Sequence, residues 1–427
     1  MPFKRSLWSL YLLVGLLSLP ALRPLLEINT RATPVELVYY FANSTGMLGL
    51  VWMFIGILLG VRFVAKLLTP DVGGALALHK WLGKYGAIFV LAHPVLQMFA
   101  YLEDWRWLFV PEFSTNLARQ INVGRLALLL YLIVWVSSAI LRGRLKYRPW
   151  LYLHYLSYPV VLLGLNHIED IGFFTTTTAL LGILRRVAFV SVLAIILSRL
   201  AYWAGLWKPQ YTVVRTENFG DDLFTLILRP QKKLATPKPG QYFYLQTKRF
   251  REAHPYSLMH LDEANQTLTF GVKALGPHSK DLRDLKAGDT VYLDGRYGVF
   301  LQESQASVPR VYWAGGIGVT PFVDSVLREP EREIHLHYSV QYENEILVPE
   351  ELTAALGENL RVYVTQEEQT KYIPHRISLE TVENVTKALS GAEHYLCGSA
   401  GFMAAIEKHL VHCGVEQKDI YSEAFSH

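Results

Sequence analysis

The 427 residues predict a six-helix membrane bundle fused to a soluble module, itself an antiparallel β-barrel followed by an α/β domain. Three observations carry this expectation. Residues 1–206 are dominated by long apolar runs, whereas 207–427 mix charges of both signs. The apolar half divides into six stretches near the roughly 20 residues that a helix needs to cross a bilayer. In the other half, strands follow strands up to 305 and alternate with helical patterns from 306 on. The expected parts are therefore 1–206, 207–305 and 306–427.

The spans are expected at 7–25, 38–62, 78–101, 122–141, 150–168 and 187–206. Lys4 and Arg5 before an apolar core imitate a secretion signal, but no small-x-small cleavage site follows and Pro20 stands where one belongs, so the stretch is kept as a helix. The pair Arg185–Arg186 is costly in lipid, which places 171–186 at the outer interface. Basic residues favour alternate connections, most densely at Arg142, Arg144, Lys146 and Arg148. That bias orients those connections, the N-terminus and the soluble half to the cytoplasm, and the expected location is the plasma membrane. The two cysteines, Cys397 and Cys413, suit a reducing compartment. A net charge of +4 is too small to imply nucleic acid.

The apolar half holds four histidines in two pairs: His79 and His93 on the third stretch, His154 and His167 on the fifth. At about 1.5 Å rise per residue, the pairs are separated by roughly 21 Å and 20 Å along their helices. The two stretches run the same way, so His79 is level with His154 and His93 with His167. Two facing imidazoles at two depths suit the axial positions of two stacked haems. Two histidines without a carboxylate or cysteine are a poor zinc shell. Fourteen residues return His93 to nearly the face of His79, but thirteen leave His167 roughly 140° from His154 on an ideal helix. Pro159 lies between them and deprives Tyr155 of its hydrogen bond, which predicts a distorted helix there.

In the soluble half, "PGQYFYL" leads to "HPYSLM" (254–259) and "VKALGPHSKDL" (272–282). The Ser257 hydroxyl and Tyr256 ring on one strand can bond and cover a flavin, and the turn of Gly276, His278 and Ser279 can offer donors to a pyrophosphate. "VYWAGGIGVTPF" is strand, glycine turn and helix: Gly315, Gly316 and Gly318 admit close backbone approach, Thr320 is expected to cap the helix, and Pro321 to take its first position. "YLCGSAGFM" repeats the pattern at the carboxyl end of a strand, where ligands sit in open α/β sheets. Cys397 is expected beside a nicotinamide rather than as a nucleophile. Ser339 is next to last in "IHLHYSV" (334–340), which has no terminal acidic residue to claim a ribose hydroxyl, although Glu343 and Glu345 follow.

These motifs resemble the NADPH oxidase and ferric reductase superfamily over nearly the whole chain, as a compact prokaryotic-like member. The paired histidine spacings resemble its six-helix ferric-reductase-like domain, and the rest its ferredoxin–NADP reductase type of flavoprotein. "HPYS" is similar to the family's HPF[ST] flavin motif, "GGIGVTPF" to its nicotinamide-nucleotide motif, and "CGSAGFM" to its CGP-type motif with Ser399 in place of proline. The resemblance implies two haem b at His79, His93, His154 and His167. It implies FAD at His254, Pro255, Tyr256, Ser257, Lys273, Gly276, His278 and Ser279. It implies NADPH, or NADH, at Gly315, Gly316, Gly318, Val319, Thr320, Pro321, Ser339, Cys397 and Gly398. Phe425 is implied as the aromatic that covers the flavin and moves for the nicotinamide, so Phe425, Ser257 and Cys397 are expected at the reacting rings. No regulatory insertions are present, which implies constitutive activity without obligatory regulatory subunits. O2, reduced to superoxide, and a ferric chelate both remain open as acceptors, and a non-enzymatic haem conduit is the third reading.

Overall fold

The computed structural model describes residues 7–171, 179–204, 206, 208–219, 222–232, 235–249, 251–301 and 307–424. Two compact units divide the chain, Met1–Ala201 and Tyr202–His427, so the barrel and the α/β sheet share one unit.

The first unit is helical. The interrupted helix α1 (Trp8–Leu26), α2 (Pro34–Gly60), α4 (Asn116–Trp135, extended by a wide turn to Ile140) and α7 (Ala179–Trp203) are long and apolar enough to cross a membrane. Six such spans were expected, and among the described residues these four meet that measure. The remaining two stretches form helices that carry the histidines, α3 (Val72–Ala100) and the broken pair α5 (Tyr147–His154) and α6 (Ser157–Ile171). Polar starts are capped: Thr33 and Glu36 form a capping box ahead of Pro34 on α2, and Asp71 accepts Gly74 N–H at 2.7 Å on α3. Residues 171–186 were expected at the outer interface. Residues 172–178 lie outside the described residues, but Arg185 and Arg186 belong to α7 itself, and Arg185 pairs with Glu169 at 2.6 Å. That ion pair offsets part of the cost of placing Arg185 on a long apolar helix.

Pro159 breaks the fifth stretch as expected. Without a Pro159 N–H, the Tyr155 carbonyl accepts from Tyr158 N at 3.1 Å, one residue short of the helical partner, and helix gives way to turn between His154 and Ser157. This turn resets the phase that thirteen helical residues would otherwise give.

In the second unit, β1 (Gln210–Asn218), β2 (Leu223–Pro230), β3 (Tyr242–Gln246), β4 (His254–Asp262), β5 (Thr267–Lys273) and β6 (Thr290–Tyr297) close an antiparallel barrel in the order β1-β2-β5-β4-β3-β6. Its inward residues, among them Phe224, Phe243, Leu258 and Phe270, are fully buried. The following strands, β7 (Arg310–Gly315), β8 (Ile334–Val340), β9 (Leu360–Val364), β10 (Glu393–Gly398) and β11 (Ile420–Ala424), form a parallel sheet in the order β11-β10-β7-β8-β9. The inner strands β7 and β10 are buried along almost their whole length, as expected for strands covered on both faces. The chain leaves β7 toward β8 and returns on its other side as β10, so β7 and β10 flank a topological switch point.

Trp313 on β7 stacks on His337, with ring centroids 4.5 Å apart, and donates its Nε1–H to His394 Nδ1 at 3.2 Å. Both imidazoles are buried in the sheet core. Burial, with like charge from His335, Arg361 and His394, pushes His337 down to about 3, and burial pushes His394 down to about 4. Below the unfolded value near 6.5, each ring takes up a proton only in the unfolded chain. Stability is therefore full above pH 6.5 and falls as pH drops toward 4, by about 1.4 kcal/mol per pH unit for each ring. The thermal midpoint of the full-length protein should fall steeply between pH 6.5 and 4, and His337→Phe should flatten that slope by about half.

Candidate functional site

The histidine pairs come together as the spacing predicted. His79 and His154 face each other with ring centroids 5.8 Å apart, and His93 and His167 with centroids 6.5 Å apart. Each ring is aimed by its Nδ1. His79 Nδ1 meets the Gly56 carbonyl and His93 Nδ1 the Ala42 carbonyl, both at 2.8 Å. Ala42 and Gly56 are fourteen residues apart on α2, the spacing of His79 and His93 on antiparallel α3. His167 Nδ1 meets the Gln120 carbonyl of α4 at 2.7 Å, and His154 Nδ1 meets Ser138 Oγ at 3.1 Å. With Nδ1 engaged, Nε2 is the ring nitrogen that could ligate a metal.

Two glycines make room for the rings. A Cβ on Gly46 would lie 2.5 Å from His93 Nδ1, and one on Gly124 would lie 2.7 Å from His167 Cε1. The cavity beside this pair is mainly apolar and is lined by Gly46, His93, Gln97, Gly124, Arg125 and His167, among others. Arg125 is committed to the Trp107 carbonyl at 3.0 Å and to Asn122 Oδ1 at 2.5 Å. Among the described residues no group of three or more His, Cys, Asp or Glu side chains stands ready for a metal. Two opposed imidazoles cannot close a zinc shell. They fit a metal that brings its own equatorial ligands.

On the barrel, β4 opens with the expected flavin residues. His254, Pro255, Tyr256 and Ser257 pair with Leu245, Tyr244, Phe243 and Tyr242 of β3. Helix α8 (Pro277–Arg283) brings His278 to them: its ring lies 4.1 Å from that of His254, and its Nδ1 lies 3.1 Å from Tyr256 Oη. Burial and the neighbouring His254 push His278 down to about 4, and burial raises the Tyr256 phenol, so both groups are neutral hydrogen-bonding groups near pH 7. The Ser279 hydroxyl donates to Gly276 O and accepts from Gly276 N, each at 3.0 Å, which commits it to its own turn. Lys273 is spent at a seam. Its ammonium lies 2.7 Å from Glu345 and 3.7 Å from Asp222. Burial pulls Lys273 down, but the Glu345 bond and charge outweigh it and leave Lys273 raised. Phe425 lies outside the described residues.

At the switch point, Gly315 ends β7 and Gly398 ends β10. Gly316 and Gly398 have φ of +55° and +157°, and a Cβ on Gly318 would stand 2.3 Å from the Cys397 carbonyl oxygen. The two turns therefore pack backbone to backbone. Ser339 aligns with Gly315 across β7 and β8. Burial and the Glu423 carboxylate raise the Cys397 thiol well above its usual range, so it is a protonated neighbour and not a nucleophile. The Thr320 expectation is corrected. A tight turn, Gly316–Val319, runs straight into α9 (Thr320–Arg328), so Val319 takes the cap position. The Thr320 hydroxyl donates back to the Ile317 carbonyl at 3.0 Å, and Pro321 is the second helical residue. Buried Asp324 on α9, which sequence reasoning missed, accepts Leu261 N–H of β4 at 3.0 Å and pairs with Arg328 at 3.1 Å, tying the sheet to the barrel. A carboxylate amid apolar helix residues was the available signal.

Comparison with known proteins agrees with this geometry. Residues 45–165 match the ferric reductase like transmembrane component, 209–301 an FAD-binding domain, and 313–408 an oxidoreductase NAD-binding domain. Similar proteins include the flavohemoprotein of Bacillus subtilis (strain 168), 24% identical over 52% of this chain and 61% of the relative. Another is the flavohemoprotein of Chromobacterium violaceum, 26% identical over the same shares, 52% and 61%. The chain thus spans about three-fifths of the length of these curated relatives. Similar solved structures include the flavohem-like FAD/NAD binding domain of nitric oxide dioxygenase from Vibrio cholerae O1 biovar El Tor and a ferredoxin NADP+ reductase from Neisseria gonorrhoeae. Each is 20% identical with a TM-score of 0.45, covering 51% of this chain and 98% of its own. A ferric-reductase-like transmembrane component followed by FAD-binding and NAD-binding domains gives this chain the domain architecture of the NADPH oxidase and ferric reductase type.

Proposed function

We propose that the chain passes electrons from cytoplasmic NAD(P)H through FAD and two bis-histidine haem b groups across the plasma membrane to O2, releasing superoxide at the outer face. The observation that supports this best is the opposition of His79 to His154 and of His93 to His167, with every Nδ1 turned to another partner. When bound, FAD splits the hydride pair into single electrons and the haem irons relay them one at a time.

The chain itself supplies placement. Gly315, Gly316 and Gly318 let the nucleotide approach the backbone at the switch point, and His254, with neutral Tyr256 and His278, would line the flavin site at the start of β4. Held by a pair of histidines, each haem would offer no open metal position to a substrate, so the outer acceptor would be reduced without coordinating the metal. A ferric-chelate reductase shares this path and differs in its acceptor, and the match of residues 45–165 favours keeping it as the second reading.

Purified protein supplied with FAD and NADPH should reduce a superoxide-sensitive dye, and superoxide dismutase should abolish the signal. Ferric reduction untouched by dismutase, with no superoxide formed, would replace the oxidase by the reductase. Failure to bind flavin or oxidise NADPH would leave only a haem conduit.

A further inference from the structure

We infer that Ser138, held in place by Trp150, sets the reduction potential at the His79–His154 site and makes the two proposed iron sites unequal; the inference rests on the haem reading above.

Three of the four imidazoles give Nδ1 to a backbone carbonyl, at 2.7 to 2.8 Å. His154 alone meets a hydroxyl, at 3.1 Å. With Nε2 as the ligating atom, Nδ1 carries the proton and donates it. A peptide carbonyl draws on that proton more strongly than this serine does. The serine contact is longer, and Ser138 Oγ also accepts the Trp150 Nε1–H at 3.2 Å. A stronger acceptor makes the imidazole a more basic ligand and favours Fe3+. The His93–His167 site, with two carbonyl partners, is therefore biased to the oxidised form. The His79–His154 site, with one carbonyl and one shared hydroxyl, holds Fe2+ more readily. The step concerned is the one-electron Fe3+/Fe2+ change, with the Nδ1 proton retained.

The placement of Ser138 is built into the fold. Helix α4 ends in a wide turn, Val136–Ile140, closed by Leu141 N–H to the Val136 carbonyl at 2.9 Å. Such turns insert one residue and rotate the side chains around them. Ser137 bonds the Val134 carbonyl of its own helix at 3.0 Å, while the next residue, Ser138, reaches His154. Trp150, four residues before His154, stacks on its ring at 5.1 Å and 26°, and the Arg142 guanidinium lies 4.3 Å from the Trp150 ring. That positive charge acts in the same direction, since it opposes the extra charge of Fe3+.

A redox titration of the full-length protein, followed in the haem absorption bands, tests this. Ser138→Asp supplies a stronger acceptor and should lower one of the two potentials, changing the Fe2+/Fe3+ ratio at fixed poise by about tenfold, or 59 mV for one electron. Ser138→Ala should raise that same potential. Trp150→Phe, which keeps the stacked ring but removes the competing donor, should lower it. The other potential should stay at the wild-type value in all three. Potentials that do not move, or two that move together at full haem content, would overturn the inference while leaving the haem reading intact. Should the aspartate variant fail to fold, the opposed shifts of Ser138→Ala and Trp150→Phe carry the same test. Wild-type protein without haem bands would overturn the haem reading and this inference with it.

Discussion

Replacing His93 or His167 by alanine should remove one of two haems per chain and cut outer-face acceptor reduction by more than about a hundredfold. Loss of an outer-shell partner alone costs about 10–100-fold in metal affinity, and here an axial donor itself is lost. Flavin content and NADPH-driven reduction of a soluble dye should be unchanged, because the second unit contains its own barrel and nucleotide sheet. Haem-to-flavin ratio and the two activities, measured on one preparation, separate this result from general misfolding. Loss of dye reduction together with haem would contradict it. The steric counterpart is Gly124→Ala, whose new methyl would press on the His167 ring at 2.7 Å. It should affect the same haem and spare the other.

The second large effect is expected at the switch point. Gly318→Ala puts a Cβ 2.3 Å from the Cys397 carbonyl oxygen, and both atoms belong to backbone-anchored turns that cannot rotate away. The turns ending β7 and β10 must part, and a misplacement of about 1 Å at a reacting centre costs on the order of a hundredfold. NADPH-driven dye reduction should fall by about that factor in kcat/KM. Haem content and reduction of the haems by dithionite should be normal. Gly401→Ala, which meets nothing within 4 Å, is the control that should behave as wild type.

How much of this was legible in the sequence follows from how local each signal is. Histidines in apolar stretches are conspicuous residue by residue, and their spacing reports depth because helical rise is constant. The Pro159 break was equally legible, since a missing N–H acts within one turn. The glycine turns were found for the same reason, and so were the strands and helices that flank them. Thr320 was misjudged because a tight turn, Gly316–Val319, took up the chain just before α9, and helix starts shift easily by one or two residues. Six membrane stretches were read from their apolarity and length. The two that carry the histidines also carry polar and charged residues such as Lys80, Lys84 and Arg148, so length and composition mark four. Ser138 was invisible, because no local pattern in "VSSAI" announces a wide turn and its meaning depends on His154, sixteen residues on. Lys273 was assigned to the flavin from its motif. Its structural partner, Glu345, is 72 residues away, a separation that no periodicity reports.

The proposed electron path joins a nicotinamide site, a flavin site and two bis-histidine haems within one chain. An anaerobic absorption spectrum of the purified protein, recorded before and after NADPH in the presence of FAD, tests it most directly. Two low-spin haems per chain are expected, both reduced by NADPH, and only one after His93→Ala. A wild-type spectrum without haem, or with haems that dithionite reduces and NADPH does not, would contradict it.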